Sequence, residues 1–421
     1  MPMWHHPDSP AADRARELHT RLTGAQPQAV ASAPATWNVI GEHVDYYGGV
    51  TVIGLVDLRA AVAVSPRTDD VIRVTIAENN EETTEDSSLE ALAALAAAQQ
   101  PTTDSEGRTI VPPAPTGNTH TRVAGMVWML INRQLLSRET SGMDITAVSD
   151  IPPHAGLGAR SAMDVATALA LISDHEELAD APMRARIADV CAQAVTLFSE
   201  VPPLRARHTA ALRGAAETVS VIDYADNSVT QAPHPLGKEM SGFVVSAPAA
   251  GDIAAPVAHI RARQRFVHDA CHAFGTDSLR LLPDAAPRVV DWLTAVHEID
   301  GPEGQPTLPD ARNWLAFFDD ETTRAQGVAR SLRSRRGTEL LSVLGSSQTE
   351  LAAIYGLENA QQIAELSALR GAVGTRAASA GIANAVVAYV PAVKADHFAD
   401  DLSEAGLDVI ALHPGEPARP E

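Results

Sequence analysis

Apolar positions recur with two different periods along the chain, and together they predict an N-terminal sheet followed by a mostly helical second half. Residues 50–64 and 71–76 are rich in valine and isoleucine and are separated by Pro66, Asp69 and Asp70. That arrangement predicts two antiparallel strands joined by a turn. Residues 121–136 carry apolar positions at helical spacing, and 143–148 predicts the next strand, ending at Pro152 and Pro153. A helix is expected from about Ser161, apolar nearly all round over 162–172, as for a helix buried on every side. Further helices are predicted over 183–197, 259–274, 287–297, 311–334 and 340–355, and strands over 219–223, 243–246 and 384–389. The acidic stretch 78–90 and the Pro/Thr/Gly-rich stretch 99–117 read as surface insertions flanking a short alanine-rich helix, 89–98. The proline-rich tail after His413 is expected to be disordered. The polar stretch around Asp226 and Asn227 marks an expected division into an N-terminal lobe, 1–225, and a C-terminal lobe, 226–421.

A chain of 421 residues that is 45% hydrophobic and 20% charged has enough apolar surface for an ample core, so it should be globular. No apolar run approaches the roughly 18–20 residues of a spanning helix, and residues 1–10 lack the basic start and apolar core of a signal peptide, which together predict a cytoplasmic protein. Cys191 and Cys271 are the two cysteines. With no Cys-x-x-Cys pair, neither a disulfide framework nor a thiolate zinc site is expected. A formal charge of −21 argues against nucleic acid or anionic membrane as a partner. Arg333, Arg335 and Arg336 form one short basic cluster, expected to be a solvated helix face.

Candidate chemistry concentrates in residues 33–49, Ala-Pro-Ala-Thr-Trp-Asn-Val-Ile-Gly-Glu-His-Val-Asp-Tyr-Tyr-Gly-Gly, where Glu42, His43 and Asp45 can face a small polyhydroxylated ligand. The segment resembles the sugar-binding signature of galactokinases, in the GHMP kinase superfamily, with Gly41, Glu42, His43, Asp45, Tyr46, Gly48 and Gly49 all fitting. The resemblance implies an α/β (α+β), two-lobed GHMP kinase fold, with an N-terminal ribosomal S5-like lobe and a C-terminal ferredoxin-like lobe. It assigns sugar binding to Glu42, His43 and Asp45.

The other family motifs follow in order, from about Trp4 to about Ala411, but with altered chemistry. The position of the family's charge-stabilising Arg is Thr36, a hydroxyl that cannot supply a guanidinium's charge. The phosphate loop corresponds to His154-Ala155-Gly156-Leu157-Gly158-Ala159-Arg160-Ser161. Arg160 falls where the family has a magnesium-binding Ser, and a cation there repels Mg²⁺. The slip that would put Ser161 in that place is opposed by Asp164-Val165-Ala166, which match without it. Phe198, Val201 and Pro202 set the register of the next motif, in which the family's second magnesium ligand becomes Val195 and its catalytic Asp becomes Arg207. Arginine is no base at physiological pH; His208 is titratable, but adjacent residues project differently. In the third motif, 374–385, three family glycines are Ser379, Ala383 and Asn384, each adding a Cβ where close approach to a nucleotune would be needed.

The family glycine before the catalytic Asp is Leu204, and its second-half sugar-binding Tyr falls on Ile260.

Two readings stay open at this point. One is a galactokinase-like protein without phosphotransfer activity, needing no cofactor and acting as a binding or regulatory protein for a sugar or an anion. The other is an active kinase for galactose or a related sugar, using ATP and magnesium in a rearranged site. Glu42, His43 and Asp45 could equally form a polar turn whose carboxylates bond main-chain N–H groups. Arg160 and Arg207 could hold an anion between them, or pair with Asp164 or Glu200.

Overall fold

The computed structural model describes residue 4 and residues 7–78, 81–103, 109–248, 253–334, 338–357 and 360–421. In chain order the first half holds α1 (Ala11–Thr23), β1 (Ala29–Ile40), β2 (Val50–Arg67), β3 (Val71–Glu78), β4 (Glu81–Ser88), α2 (Leu89–Ala98), the two-residue strands β5 (Thr102–Thr103) and β6 (Thr109–Ile110), α3 (Thr119–Asn132), β7 (Gly142–Ser149), α4 (Ala159–Leu171), α5 (Ala181–Phe198), α6 (Arg205–Arg213), β8 (Thr218–Asp223) and β9 (Ser228–Pro233). The second half holds β10 (Met240–Ser246), α7 (Ala254–Phe274), α8 (Ala285–Ile299), α9 (Leu308–Arg333), α10 (Thr338–Ala353), α11 (Gln361–Leu369), β11 (Gly374–Ala377), β12 (Ala385–Pro391), α12 (Ala395–Glu404), β13 (Asp408–Ala411) and β14 (Arg419–Pro420).

The larger sheet runs β14-β1-β2-β7-β3-β4, with β8 joined to the first part of β2 and β9 to β8; the smaller runs β11-β12-β10-β13. This is the two-lobed α/β architecture of GHMP kinases, as expected. Every residue of β1 after Ala29 is buried, under α4 together with α1, α6 and α9. Every residue of α4 except Arg160 is buried in turn, as its apolar sequence requires.

Several expectations need correcting. β2 and β3 are not neighbours: β7 lies between them, antiparallel to β2 and parallel to β3. Gly142 opens β7 inside the turn between them, where a Cβ would stand 2.4 Å from the Val71 carbonyl oxygen and 2.6 Å from that of Asp69. Residues 81–88, expected as a surface insertion, form β4, an exposed polar edge strand paired with β3; such composition suits an edge that must not recruit further strands. The 225/226 division falls inside the β8–β9 hairpin of the larger sheet, which also takes in β14 near the end of the sequence.

The tail after His413 is ordered, although its prolines cannot donate hydrogen bonds. Its carbonyls are gathered by arginines instead. Arg59 Nη1 donates to Glu416 O at 2.8 Å and Nη2 to Pro417 O at 3.2 Å, and Arg184 Nη1 donates to Ala418 O at 2.9 Å. β14 then pairs with β1. Arg333 is exposed and donates to Thr230 Oγ1, while Arg335 and Arg336 lie outside the described residues, as do 104–108 of the stretch 99–117.

Candidate functional site

β1 delivers its last residues into a turn that returns at β2, and this turn carries Gly41 to Gly49. His43 adopts a left-handed backbone, φ 62°, a conformation uncommon for a residue with a side chain. Asn38, Glu42, His43 and Asp45 line one small cavity with Leu204, Ala206 and Arg207. The structure thus brings the sugar-signature residues and the position of the family's catalytic Asp together. The cavity measures about 10 Å³, at the lower limit for one water.

The carboxylates of the signature have partners within the protein. Glu42 Oε2 accepts from Ala380 N at 3.1 Å and from Arg376 Nη1 at 3.4 Å. Asp45 Oδ2 accepts from Arg205 N at 3.1 Å, at the first residue of α6, where a helix N-terminus favours negative charge. Burial raises the Glu42 carboxyl, but nearby basic groups, Arg376 and Arg207 among them, outweigh it and hold the group below its ordinary value. Asp45 goes the other way, pushed up by burial against the pull of Arg205. Burial also lowers His43, whose Nε2 donates to the Ala380 carbonyl at 2.9 Å in the neutral ring. Among the described residues, Asn38 Oδ1, Glu42 Oε1 and His43 Nδ1 have no partner.

Behind Glu42 lies a buried charge network that sequence reading missed. Arg376 Nη2 donates to Glu321 Oε1 at 3.0 Å, and the same oxygen accepts from Gly41 N at 3.0 Å and Ser347 Oγ at 2.9 Å. Arg324 extends the chain from Glu321 to Glu350. The Tyr355 hydroxyl bonds that of Tyr46, and its ring stacks on Phe317 at 4.3 Å. Ile260, the family's tyrosine position, is buried in the same cluster and supplies no hydroxyl. Arg376, the one charge in the short strand Gly374–Ala377, was the available signal for the network; Glu321 stood out by nothing but its place on a buried helix face.

The side of the site that faces the loop 154–159 is filled. Arg207 is buried and donates from Nη1 to Thr36 O at 2.6 Å and Thr36 Oγ1 at 3.1 Å, and from Nη2 to Gly156 O at 2.8 Å and Ala378 O at 3.0 Å. Burial lowers its pKa, with Glu42's charge opposing. A Cβ on Gly158 would meet Arg207 Cδ at 3.0 Å. A Cβ on Gly156 would meet Ala378 Cβ at 3.0 Å and Ala383 Cβ at 3.2 Å. In the loop His154, Ala155, Gly156, Leu157, Gly158 and Ala159, Gly156 therefore packs directly against Ala378 and Ala383, and Leu157 O accepts from Thr36 N. Val195 is fully buried on α5.

Neither Asp164 nor Glu200 pairs with Arg207, contrary to one sequence expectation. Asp164 is taken by Arg122, in a bidentate contact, and by His208 Nε2 at 2.7 Å. His208 is thereby turned away from the cavity. Arg160 is half-buried and makes no ion pair with a described residue; burial and then the like charge of Arg122 lower its pKa, while Glu200, Glu78 and Asp164 raise it.

Known proteins share features with this chain. The family model for the galactokinase galactose-binding signature matches residues 17–66. The chain is 24% identical to the galactokinase of Streptomyces coelicolor over 391 residues, covering 91% of this chain and 89% of that one. At low identity, the chain is similar to galactokinases along most of its length. The galactokinase of Mycobacterium tuberculosis is 27% identical over 392 residues, with 89% of this chain and 92% of that one covered. Among solved structures, Lactococcus lactis galactokinase complexed with galactose superposes with a TM-score of 0.71 at 15% identity, covering 97% of this chain and 99% of that one. Methanococcus jannaschii mevalonate kinase gives a TM-score of 0.56 at 12% identity, covering 91% of this chain and 98% of that one. These structural matches establish the shared fold. No helix among the described residues is long and apolar enough to cross a membrane.

Proposed function

We propose that this chain is a galactokinase homologue without phosphotransfer activity, retaining the sugar-signature residues in a binding or regulatory protein that requires neither ATP nor magnesium. The observation that carries the reading is Arg207. It occupies the position of the family's catalytic carboxylate and is hydrogen-bonded to three main-chain carbonyls, so it can neither accept a proton nor leave room for one to be transferred. The carboxylates that do line the cavity, Glu42 and Asp45, are engaged with Arg376, Ala380 and Arg205. Ala378 and Ala383 against Gly156 support exclusion of a nucleotide as well.

Loss of a base alone lowers rates by about 10²–10⁴, and loss of the charge-stabilising Arg should lower them further, without simple addition. A coupled ADP-release assay with Mg-ATP and a panel of hexoses tests the reading. No hexose-dependent turnover is expected. Turnover at an ordinary kinase rate that disappears in Glu42→Ala would establish the active-kinase alternative instead.

A further inference from the structure

Arg207 stands where three segments from distant parts of the chain meet. Thr36 belongs to β1, Gly156 to the loop that opens α4, and Ala378 to the turn after β11 in the second half of the chain. A single planar guanidinium satisfies all three carbonyls, and it can do so at one separation of these segments. The donor fork is rigid, so moving residue 378 away from the loop breaks the bond to Ala378 and leaves a buried charge short of a partner. Leu204 lines the same cavity, with a bulky side chain where the resemblance has glycine. A second, outer tie joins the same regions: His154 Nε2 and Asp408 Oδ2 lie 2.8 Å apart.

We infer that Arg207 is an internal clamp that holds the two halves of the cleft shut over Glu42, His43 and Asp45, so that a ligand reaches those residues by first displacing the guanidinium from Ala378. The inference rests on the proposed reading that this position performs no chemistry. Neither a guanidinium nor a main-chain carbonyl titrates in the physiological range, so the clamp responds to displacement and not to pH.

Amide hydrogen exchange tests it, with the amides of Thr36, bonded to Leu157 O, and Ala378, bonded to Ala385 O, as reporters. In the unaltered protein these two amides are expected to open together, with one common protection factor. In Arg207→Gln both should exchange roughly tenfold or more faster, the effect of losing hydrogen bonds from a charged group, while the Val74 amide in the larger sheet keeps its rate. Independent opening of Thr36 and Ala378 in the unaltered protein overturns the clamp even if the variant fails to fold. Unchanged rates in a folded Arg207→Gln do the same. Neither result bears on hexose-dependent turnover, so failure of the clamp and failure of the functional reading are separable.

Discussion

Arg376 and Arg207 are both buried in the cleft, yet the first is set among the carboxylates of Glu42 and Glu321 and the second among the main-chain carbonyls of Thr36, Gly156 and Ala378. In the sugar half, acidic residues that could serve a ligand also neutralise an arginine that the fold has buried. Retaining them therefore needs no sugar. On the side of the loop 154–159, Arg207 keeps three segments together by bonding groups that every sequence possesses. A retained motif and a lost one can thus both be consequences of packing, and the ligand-binding content of the first has to be measured separately.

The comparison breaks most readily at Glu321. Replacing it by alanine strips Arg376 and Arg324 of a shared counter-charge and leaves the Gly41 N–H without its acceptor, which should cost about 3–5 kcal/mol in urea unfolding. A loss below about 1 kcal/mol would mean that the carboxylate network is dispensable and that Glu42 is retained for another reason.

Asp164→Asn comes next, at about 2–4 kcal/mol, because Arg122 and His208 lose a buried partner. Burial raises this carboxyl, but Arg122 and His208 more than compensate and hold it below the ordinary aspartate value. The stabilisation is therefore complete above the unfolded-state value of about 3.9 and is lost as pH falls through the lower folded-state value. Acid titration of stability should be steeper below about pH 4 in the unaltered protein than in the Asn variant; parallel curves would contradict the assignment.

His154→Ala removes a partly exposed contact to Asp408 and should cost about 0.5–1.5 kcal/mol, separating the outer tie of the cleft from the inner one. Smallest is Asp86→Ala, which breaks an exposed pair with Arg73 at the sheet edge and should change thermal stability by less than about 1 kcal/mol, less still in high salt. A larger change there would show that exposure is a poor guide to the value of an ion pair in this protein.

Much of this was legible from residue order. The resemblance pointed to residues 42–45, the loop at 154–160 and Arg207; in the structure Glu42, His43, Asp45 and Arg207 line one cavity, and Gly156 of the loop bonds Arg207. The helices expected from about 161 and over 183–197 and the strands expected over 143–148 and 384–389 match α4, α5, β7 and β12 to within a few residues, because apolar periodicity is strong where an element is buried on most sides. Partners of buried charges were not legible, because pairing Arg122 with Asp164 or Arg376 with Glu321 depends on contacts across distant elements. Nor was the order of the tail: its prolines suggest disorder by composition, and the order comes from Arg59 and Arg184, far away in sequence.

The insertion of β7 between β2 and β3 has a kinetic side. β2 and β3 are separated in the chain by the short turn 68–70, so a refolding molecule can close that hairpin long before Gly142 finds Arg67. Closing a short loop is fast, whereas a contact across dozens of residues must first overcome a larger entropy of closure. The local hairpin would then occupy the edge that β7 requires and would have to unzip before the native sheet forms. The native order is topologically frustrated at this point. Refolding should show an early gain of strand signal that partly reverses before native tertiary structure appears, and a Gly142→Val variant, which hinders entry of β7 at the turn, should lengthen that delay.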